Sequence, residues 1–355
     1  MKVKKHINNP ILTLKDVTPY HDDHEVIGVF NAGVAEYKGE TLLLLRVAER
    51  PISDNPSTVK VSFIDFSGGK GQLNVIELDK NDSRYNFSDP RTISWSEGSK
   101  KVAFLTSISY IRIARSTDGY NFTVDDEPFI YPGTEREAWG VEDPRVTQIE
   151  DEYYIQYSAI SKEGIGVGLI STKDFIHYER LGLMLHPENK DVAIFPEKIN
   201  GKYYTLHRPV PGGIGNPEIW IAESDNLRYW GNHQYLLGLS EEGWDNGRIG
   251  GGAVPFKTEE GWLEVYHAAD KNDRYCLGAV LLDLDNPAKV IGKTELPILE
   301  PTEAYEKNGF FGNVVFSCGL IRNGDNVRIY YGVADTSMAV ADLSLTDIMS
   351  KLTRF

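Results

Sequence analysis

The chain carries two adjacent carboxylates, Glu142 and Asp143, inside the stretch 139–145 (WGVEDPR). A carboxyl group held at a fixed position can act as a general acid or base on a bound substrate. Pro144 fixes its own φ and predicts an extended backbone at Asp143. Taken alone, however, a Glu-Asp-Pro sequence is an ordinary acidic turn before a strand. The catalytic interpretation therefore depends on the polar residues found elsewhere in the chain.

A set of basic residues recurs near the ends of strand-like runs, at Arg46, Lys198, His207, Arg208 and His267. The protein as a whole is acidic, with a formal net charge of −15, which argues against a nucleic-acid partner. For any one of these residues a surface ion pair is an equally good explanation. As a set in an acidic protein, they favour the binding of a small anion.

Composition describes the class of protein. The chain of 355 residues is 41% hydrophobic and 25% charged, as in soluble globular proteins, and its many aromatic residues favour β-structure. The two cysteines, Cys276 and Cys318, form no disulfide framework and fit a reducing compartment. We find neither a signal-like apolar segment nor a run of 18 apolar residues. We therefore expect a cytoplasmic protein with no membrane partner.

Five segments of the chain repeat one plan: a strand-like run, a turn rich in Gly, Asn and Asp, and a second strand-like run. They cover residues 30–46, 143–158, 194–208, 250–267 and 311–335. A weaker repeat, a strand with an Asp-centred turn, follows at 113–120, 169–175, 221–227, 281–287 and 341–347. Units of four strands at such spacing are typical of propeller blades.

The repeats predict an all-β fold, a five-bladed β-propeller that forms a single domain over residues 1–355, with units at about 28–130, 141–184, 194–238, 249–299 and 310–348. Long amphipathic helical patterns are missing, and 344–351 is the best helix candidate. The first unit contains an insertion at 51–110 with strands predicted at 59–66 and 73–78. A rim, a lid and an oligomer contact are all compatible with this insertion.

The innermost strands of a propeller line its central channel, so corresponding ends of the repeats should converge there. These positions are polar in every unit, whereas a purely structural propeller would place small or apolar residues at them. The sequence therefore predicts a binding or catalytic site in the channel. Its candidate residues include Asn31, Arg46, Asp143, Lys198, His207, Arg208, His267 and Asp335.

Four longer motifs resemble the β-mannoside phosphorylases of glycoside hydrolase family 130. They are WGVEDPR at 139–145, FPEKINGKYYTLHRP at 195–209, IGGGAVPFKT with GWLEVYH over 249–267, and YYGVADT at 330–336. The resemblance extends from about residue 30 to residue 336. Segments 277–283 and 309–319 most resemble the branch that acts on β-1,2-mannobiose and β-1,2-oligomannan.

The resemblance implies a five-bladed propeller that cleaves a β-mannoside with inorganic phosphate, with inversion, to give α-mannose 1-phosphate. It implies no cofactor, with phosphate as a co-substrate. An inverting hydrolase needs a general acid and a general base, whereas phosphate is already an anionic nucleophile and needs cationic groups in place of the base. Asp143 matches the family's acid, which passes its proton through the 3-hydroxyl of the mannose.

The resemblance also implies roles for the other candidates. The phosphate ligands would be Lys198, His207, Arg208, His267 and Arg46. The sugar ligands would be Asn31, Arg46, Glu142, Tyr275, Phe310 and Asp335; Phe311 is a further sugar platform. A core role for the aromatic residues remains open, as does the part played by Glu142 beside Asp143. The isolated histidines indicate no metal site.

Two other functions remain open at this point. One is a β-1,2-mannosidase on the same scaffold, with Glu197, Glu218 or Glu223 as the base. The other is a non-catalytic sugar-binding propeller. The linkage preference, the chain length of the substrate and the oligomeric state are not readable from the sequence, although the insertion offers a surface for a homo-oligomer.

Overall fold

The computed structural model describes residues 2–96 and 101–355. These residues form an all-β fold with almost no helix, as predicted. Their α-helices are α1 (Ala304–Lys307) and α2 (Leu345–Ser350), and short 3-10 helices lie at Leu14–Asp16 and Glu135–Glu137. The helix candidate at 344–351 is confirmed by α2, whose first turn is capped by the Ser344 side chain. No helix in these two ranges is long and apolar enough to cross a membrane.

In chain order, the first strands are β1 (Lys4–Lys5), β2 (His24–Tyr37), β3 (Glu40–Pro51), β4 (Thr58–Asp65), β5 (Gln72–Asp79), β6 (Tyr85–Asp89), β7 (Thr92–Trp95), β8 (Val102–Leu105), β9 (Ile108–Ser116), β10 (Thr123–Val124), β11 (Gly140–Ile149), β12 (Glu152–Ser161), β13 (Gly164–Thr172) and β14 (Glu179–Leu185). The remaining strands are β15 (Asn189–Ile194), β16 (Tyr203–Pro209), β17 (Ile219–Ser224), β18 (Gly231–Leu237), β19 (Arg248–Gly250), β20 (Phe256–Lys257), β21 (Trp262–Ala269), β22 (Tyr275–Leu282), β23 (Val290–Thr294), β24 (Val315–Asn323), β25 (Asn326–Val333), β26 (Ser337–Ser344) and β27 (Leu352–Arg354).

Antiparallel pairing groups most of these strands into five successive units within the described residues. Unit 1 contains β2, β3, β9 and β10; unit 2 contains β11 to β14; unit 3 contains β15 to β18; unit 4 contains β19 to β23; unit 5 contains β24 to β26. Strand β1 pairs with β26 and so completes unit 5, while β27 adds to the outer edge of unit 4. Units 1 and 2 share one sheet through a short parallel contact between β9 and β11.

Turn residues fix the positions at which the chain reverses between β2 and β3 and between β15 and β16. The pairs Lys38-Gly39 and Asn200-Gly201 both have positive φ at each residue, as a two-residue hairpin turn requires. Strand β3 illustrates the packing that follows. Leu42 and Leu44 pack toward unit 2, and Leu43 and Leu45 pack toward unit 5, because successive side chains of a strand point to opposite faces.

The apolar core lies between the units. Separate buried clusters fill the interfaces of units 1 and 2, 2 and 3, 3 and 4, and 4 and 5, and another joins unit 5 to unit 1. Each fully buried Leu, Ile or Phe in these clusters contributes about 1.5–3 kcal/mol of burial free energy. Every unit is thus covered by apolar side chains on both faces.

A β-bulge recurs at the same place in β2, β11 and β15, which are the first strands of units 1, 2 and 3 and are called the innermost strands below. The pairing register shifts after Phe30 in β2, after Glu142 in β11 and after Lys190 in β15. The bulged residues Asn31, Asp143 and Asp191 all adopt left-handed backbone conformations, with φ of 50°, 48° and 54°. The prediction of an extended Asp143 was wrong, because the extra residue of the bulge turns the backbone at this point.

The register predicted for the third repeat was also wrong. The innermost strand is β15, which ends at Ile194, and residues 195–202 form the turn that precedes β16. Phe195 and Ile199 are buried in that turn and thereby imitate the apolar pattern of a strand. Glu197 and Lys198 consequently lie at an exposed turn. The first strands of the fourth and fifth repeats are likewise displaced from the predicted 250–256 and 311–320, since β19 ends at Gly250 and β24 begins only at Val315.

The insertion in unit 1 forms two small sheets. Strands β4 and β5 pair as a hairpin, which confirms the strands predicted at 59–66 and 73–78, and β6, β7 and β8 form a three-stranded sheet. The four residues between 96 and 101 lie outside the described part of the insertion.

Gly33 lies at a close contact between the innermost strands of units 1 and 2. A Cβ atom at Gly33 would lie 2.7 Å from the carbonyl oxygen of Pro144, which belongs to backbone and cannot rotate away. We expect Gly33→Ala to lower the free energy of unfolding by about 1–3 kcal/mol, the usual cost of overpacking. Gly68→Ala is the matched control, because a Cβ atom at Gly68 would meet no other atom within 4 Å. Equal denaturant midpoints for the two variants would contradict this contact.

Candidate active site

A cavity of about 290 Å³ lies where the innermost strands meet. All five units contribute to its wall within the described residues, and so does the insertion. Its polar lining contains four carboxylates and four cationic side chains: Glu142, Asp143, Asp191, Asp335, Arg46, Arg91, Lys190 and Arg208. Aromatic side chains of Phe30, Tyr275, Phe310, Phe311 and Phe316 complete it.

The two adjacent carboxylates of β11 share one arginine from unit 1. Arg46 donates from its two terminal nitrogens, at 2.7 Å to Glu142 and at 3.1 Å to Asp143. Asn31 donates a further hydrogen bond of 3.0 Å to the same Asp143 oxygen. Arg46 is itself fixed by a hydrogen bond of 3.1 Å to Ser109. The carboxyl of Asp143 is therefore held by side chains from two other strands.

The surroundings of Glu142 and Asp143 shift the pKa values of these two carboxyls in opposite directions. Burial raises the pKa of Glu142 and outweighs the opposing effect of Arg46. Burial also acts to raise the pKa of Asp143, but the combined charges of Arg46, Arg145 and Lys190 and the hydrogen bond from Asn31 lower it overall. Among these protein groups Asp143 is thus the carboxylate, and Glu142 is the group that takes up a proton first as the pH falls.

A cluster of basic side chains surrounds a third carboxylate, Asp191. Its oxygens lie 3.2 Å from Arg145, 2.6 Å from Arg208 and 3.1 Å from His267. Asp191 is 2% exposed and Arg145 is 1% exposed. Burial acts to raise the pKa of Asp191, but Arg208, His267 and Arg145 hold it well below its usual value. Asp191 therefore remains ionised and fixes these basic groups in place.

The charge of this cluster is positive at neutral pH. Burial lowers the pKa of His267 to about 4, so its ring is neutral there. Two arginines then face one carboxylate, and Lys190 lines the cavity next to Asp191 with no carboxylate within 4 Å among the residues that the structure describes. This region offers an uncompensated positive charge in a secluded place, which suits a small anion.

Asp335 lies on the unit 5 side of the cavity, in a left-handed conformation with φ of 52°. Burial raises its pKa to about 6, and nearby Asp143 acts in the same direction, while Arg46 opposes it. Phe310 and Phe311 lie in the loop before β24 and line the same side. This part of the cavity combines a hydrogen-bonding carboxyl with aromatic faces, as a sugar site requires.

The structure brings most of the predicted residues together. Asn31, Arg46, Glu142, Asp143, Arg208, Tyr275, Phe310 and Asp335 line the cavity. His267 lies behind the wall and reaches it through Asp191. Lys198 does not reach the cavity; it is exposed, and its amino group lies over the Tyr203 ring at 4.7 Å. Its prediction as a phosphate ligand is corrected, because the register of the third repeat places Lys190 at the cavity instead.

His207 is also absent from the cavity wall among the described residues. Its ring nitrogens lie 3.0 Å from Asn189 and 3.0 Å from His233, so both are engaged within unit 3. Burial lowers its pKa to about 3. A neutral histidine whose two nitrogens already have partners is not an anion ligand, and this prediction is corrected as well.

Sequence reasoning missed Lys190, Asp191, Arg145 and Arg91. One signal could have found the first two, since Phe30-Asn31, Glu142-Asp143 and Lys190-Asp191 each place an Asn or Asp at the bulge of an innermost strand. Nothing in the local sequence marks Arg91, which lies in the insertion. No cluster of three His, Cys, Asp or Glu residues able to hold a metal ion occurs within residues 2–96 and 101–355.

The raised pKa of Asp335 makes a prediction about stability. Between pH 4 and 6 the folded protein keeps a proton that the unfolded chain releases, so this group costs stability as the pH rises and the full cost is present above pH 6. We expect Asp335→Asn to be more stable than the wild type at pH 7 by about 1–2 kcal/mol, after allowance for its partial exposure. The difference should vanish near pH 4.

Thermal or urea unfolding between pH 4 and 8 measures this difference. Asp126→Asn removes one negative charge at an exposed position and is the control. A wild type that matches or exceeds Asp335→Asn at pH 7 would show that burial does not dominate at this carboxyl.

Comparisons with known proteins identify the family of the chain. A family model described as beta-1,4-mannooligosaccharide phosphorylase matches residues 101–354. The beta-1,2-mannobiose phosphorylase of Listeria innocua is 52% identical over 352 residues, which cover 99% of both chains. The 1,2-beta-oligomannan phosphorylase of a Thermoanaerobacter species is 45% identical over 244 residues, 68% of this chain and 80% of its own.

A solved structure extends the similarity to three dimensions. The Listeria innocua beta-1,2-mannobiose phosphorylase in complex with beta-1,2-mannobiose matches with a TM-score of 0.97, at 52% identity over 99% of each chain. The family model covers well over half of the sequence, and the relative from Listeria innocua covers nearly all of it. The chain belongs to glycoside hydrolase family 130, the family of the mannoside phosphorylases.

Proposed function

We propose that the protein cleaves β-1,2-mannobiose with inorganic phosphate, inverting the anomeric centre and releasing α-mannose 1-phosphate and mannose. One observation carries this proposal: the buried Asp143 lines a cavity that also contains a net positive cluster, whose one carboxylate, Asp191, is engaged by basic side chains. The 52% identity to the Listeria innocua enzyme supports β-1,2-mannobiose as the substrate. The protein is accordingly a glycoside phosphorylase.

The scaffold for this reaction is a five-bladed β-propeller closed around the cavity. Its support is the arrangement of the five units, with one apolar cluster between each successive pair and one between unit 5 and unit 1. The pairing of the amino-terminal strand β1 with β26 of unit 5 also supports a closed ring. The innermost strands then surround the channel, which explains why polar residues far apart in the chain meet there.

Phosphate binds to Lys190 and Arg208, with Arg145, Asp191 and His267 behind them. The arginines present a planar fork that matches phosphate oxygens, and Lys190 adds a mobile point charge. Asp191 keeps the arginines from repelling each other while leaving the cluster positive. This region occupies the place at which an inverting hydrolase would hold its base and water.

The reaction needs one proton and one nucleophile. A phosphate oxygen attacks the anomeric carbon of the non-reducing mannose, the bond to the bridging oxygen breaks, and the bridging oxygen gains a proton. Asp143 supplies that proton through a hydroxyl of the bound mannose, as the family resemblance implies. Asn31 and Arg46 hold the Asp143 carboxyl in position for this transfer.

Substrate binding would raise the pKa of Asp143, which the surrounding protein groups lower. A phosphate anion beside Lys190 offsets the positive charges that keep Asp143 ionised, and a neutral sugar removes water from it. Both effects raise the pKa of a carboxyl. Asp143 therefore becomes protonated when the nucleophile and the sugar are both present, and Glu142 orients the shared Arg46.

The sugar occupies the side of the cavity formed by Asn31, Arg46 and Asp335. A carboxyl with a pKa near 6 is largely ionised at neutral pH and accepts hydrogen bonds from sugar hydroxyls. Tyr275 and Phe310 provide apolar faces for the carbon side of the ring. The proposed reaction uses no metal or other cofactor, and its proposed location is the cytoplasm. A homo-oligomer built through the insertion stays a prediction.

The hydrolytic alternative is weaker. None of the base candidates Glu197, Glu218 and Glu223 lines the cavity among the described residues, and Glu197 pairs with Lys257 at 2.8 Å on the surface. Asp191 is the carboxylate nearest to the place of a base, but its oxygens are engaged by basic groups. A purely sugar-binding protein would have no use for the positive cluster opposite Asp143.

Incubation of the purified protein with β-1,2-mannobiose, with and without phosphate, tests the function. We expect mannose and α-mannose 1-phosphate only when phosphate is present, because the cavity offers cations rather than a base for the nucleophile. Asp143→Asn should lower kcat by at least about 100-fold, the usual share of a general acid, while it folds normally. Mannose release without phosphate would instead establish a hydrolase, and no release in either case a binding protein.

A matched pair of lysine variants tests the phosphate site. We expect Lys190→Ala to raise the KM for phosphate by about tenfold or more, because a charge-assisted hydrogen bond contributes about 1.5–3 kcal/mol. Lys198→Ala should leave both KM values unchanged, since its side chain lies outside the cavity. Steady-state kinetics with varied phosphate measure the difference. A larger rise in the phosphate KM for Lys198→Ala than for Lys190→Ala would instead support Lys198 as a phosphate ligand, as the sequence predicted.

A further inference from the structure

The insertion in unit 1 forms part of the cavity wall. Arg91, Thr92, Leu105 and Ser107 all belong to it or follow it directly, and all four line the cavity. The side chain of Arg91 is the charged group among them. It lies at the hairpin between β6 and β7, far along the chain from every other charged residue of the cavity.

Local hydrogen bonds hold Arg91 in one position. Its Nε and one terminal nitrogen donate to Asp89 at 3.0 Å and 2.9 Å, and its backbone nitrogen donates to the same carboxylate at 2.9 Å. The backbone nitrogen of Thr106 donates to the Arg91 carbonyl at 3.1 Å. The guanidinium is therefore preorganised, with one terminal nitrogen, Nη1, that makes no hydrogen bond to the residues described by the structure.

Arg91 also bridges the insertion to unit 5. Its guanidinium lies over the ring of Phe311 at 4.3 Å, and the Phe311 backbone nitrogen donates to the Ala334 carbonyl at 3.0 Å, next to Asp335. The Arg91 guanidinium thus lies over the Phe311 ring at the wall of the cavity. The Arg91 side chain is 41% exposed, whereas that of Asp143 is 11% exposed, so this pair lies at the mouth and Asp143 lies deeper.

We propose that Arg91, stacked on Phe311, is a specificity-determining residue that binds the departing mannose at the mouth of the cavity. This inference rests on the proposed phosphorolysis of β-1,2-mannobiose. The positive charge of Arg91 is already compensated by Asp89, so the group is better suited to hydroxyls of a neutral sugar than to phosphate. Lys190 has no carboxylate within 4 Å among the described residues, and Arg208 shares Asp191 with Arg145, so the excess positive charge of the cavity lies in the cluster around Asp191.

The insertion contains a natural control for this residue. Arg84 also pairs with an aspartate two positions earlier, through its Nε at 3.0 Å and a terminal nitrogen at 2.6 Å, and it also stacks on an aromatic ring, that of Tyr85 at 5.3 Å. Arg84 is 69% exposed and does not line the cavity. The two arginines therefore share their local structure and differ in access to the cavity.

Steady-state kinetics of Arg91→Ala and Arg84→Ala, with both substrates varied, test the inference. We expect Arg91→Ala to raise the KM for β-1,2-mannobiose by about tenfold or more, the scale of one hydrogen bond from a charged donor, with the KM for phosphate within about twofold of the wild type. Arg84→Ala should match the wild type. Equal mannobiose KM values for the two variants, or an increase confined to phosphate, would overturn the assignment.

Arg91→Lys provides a second variant in case Arg91→Ala fails to fold, which thermal unfolding would reveal. Lysine keeps the charge but lacks the planar fork that pairs with Asp89 and stacks on Phe311. We expect it to raise the mannobiose KM as well, and a KM equal to the wild-type value would overturn the role of the stacked fork. Mannose release by the wild type without phosphate would refute phosphorolysis itself, and the comparison of Arg91 with Arg84 would still report on sugar binding.

Discussion

The buried guanidinium of Arg145 is the interaction on which the centre of this molecule depends. It donates to the carbonyls of Asp143, Gly251 and Gly252 at 2.8–3.1 Å and to the carboxylate of Asp191 at 3.2 Å. One side chain from unit 2 thus ties the innermost strands of units 2, 3 and 4 together. Breaking such a buried pair on one side leaves an uncompensated charge, which typically costs about 3–5 kcal/mol. Arg145 therefore fixes the backbone at Asp143 and also contributes to the positive cluster around Asp191.

The bulges of the innermost strands make this arrangement possible. A regular strand would alternate its side chains between the two faces of the sheet and would send every second one into an interface between units. The left-handed residues Asn31, Asp143 and Asp191 interrupt this alternation, and the polar groups turn toward the channel. The apolar residues that follow each bulge return to the clusters between units. Stability and chemistry are therefore assigned to different parts of the same strands.

Charge balance decides which carboxylates can take part in chemistry. Asp191 is enclosed by basic groups whose charges keep its pKa low, so it stays ionised and serves as a fixed counter-charge. Asp143 has its charge stabilised by Arg46, Arg145 and Lys190, which lower its pKa although the group is buried. Asp335 is affected mainly by burial, and its pKa rises to about 6. The pKa values of these three carboxyls therefore differ because their burial and their neighbouring charges differ.

The sequence by itself determined the all-β class and the five repeats, and it predicted that Asp143, Asn31, Arg46, Arg208 and Asp335 converge, as their common place in one cavity wall shows. These features follow from hairpin turns, strand periodicity and motifs, all of which are local or repeated along the chain. The family resemblance added the reaction and the phosphate requirement, neither of which periodicity can supply.

Only the tertiary structure decided the register of the third repeat, and with it the exchange of Lys198 for Lys190. The buried Phe195 and Ile199 imitate a strand in the sequence, and the true strand is fixed by its pairing with β16 and by contacts to unit 2. The same holds for Arg145, whose partners lie up to 107 residues away, and for Arg91, which reaches the cavity through the fold of an insertion. Bulges and long-range ion pairs depend on which strands pack together, and the sequence of a single strand does not specify its neighbours.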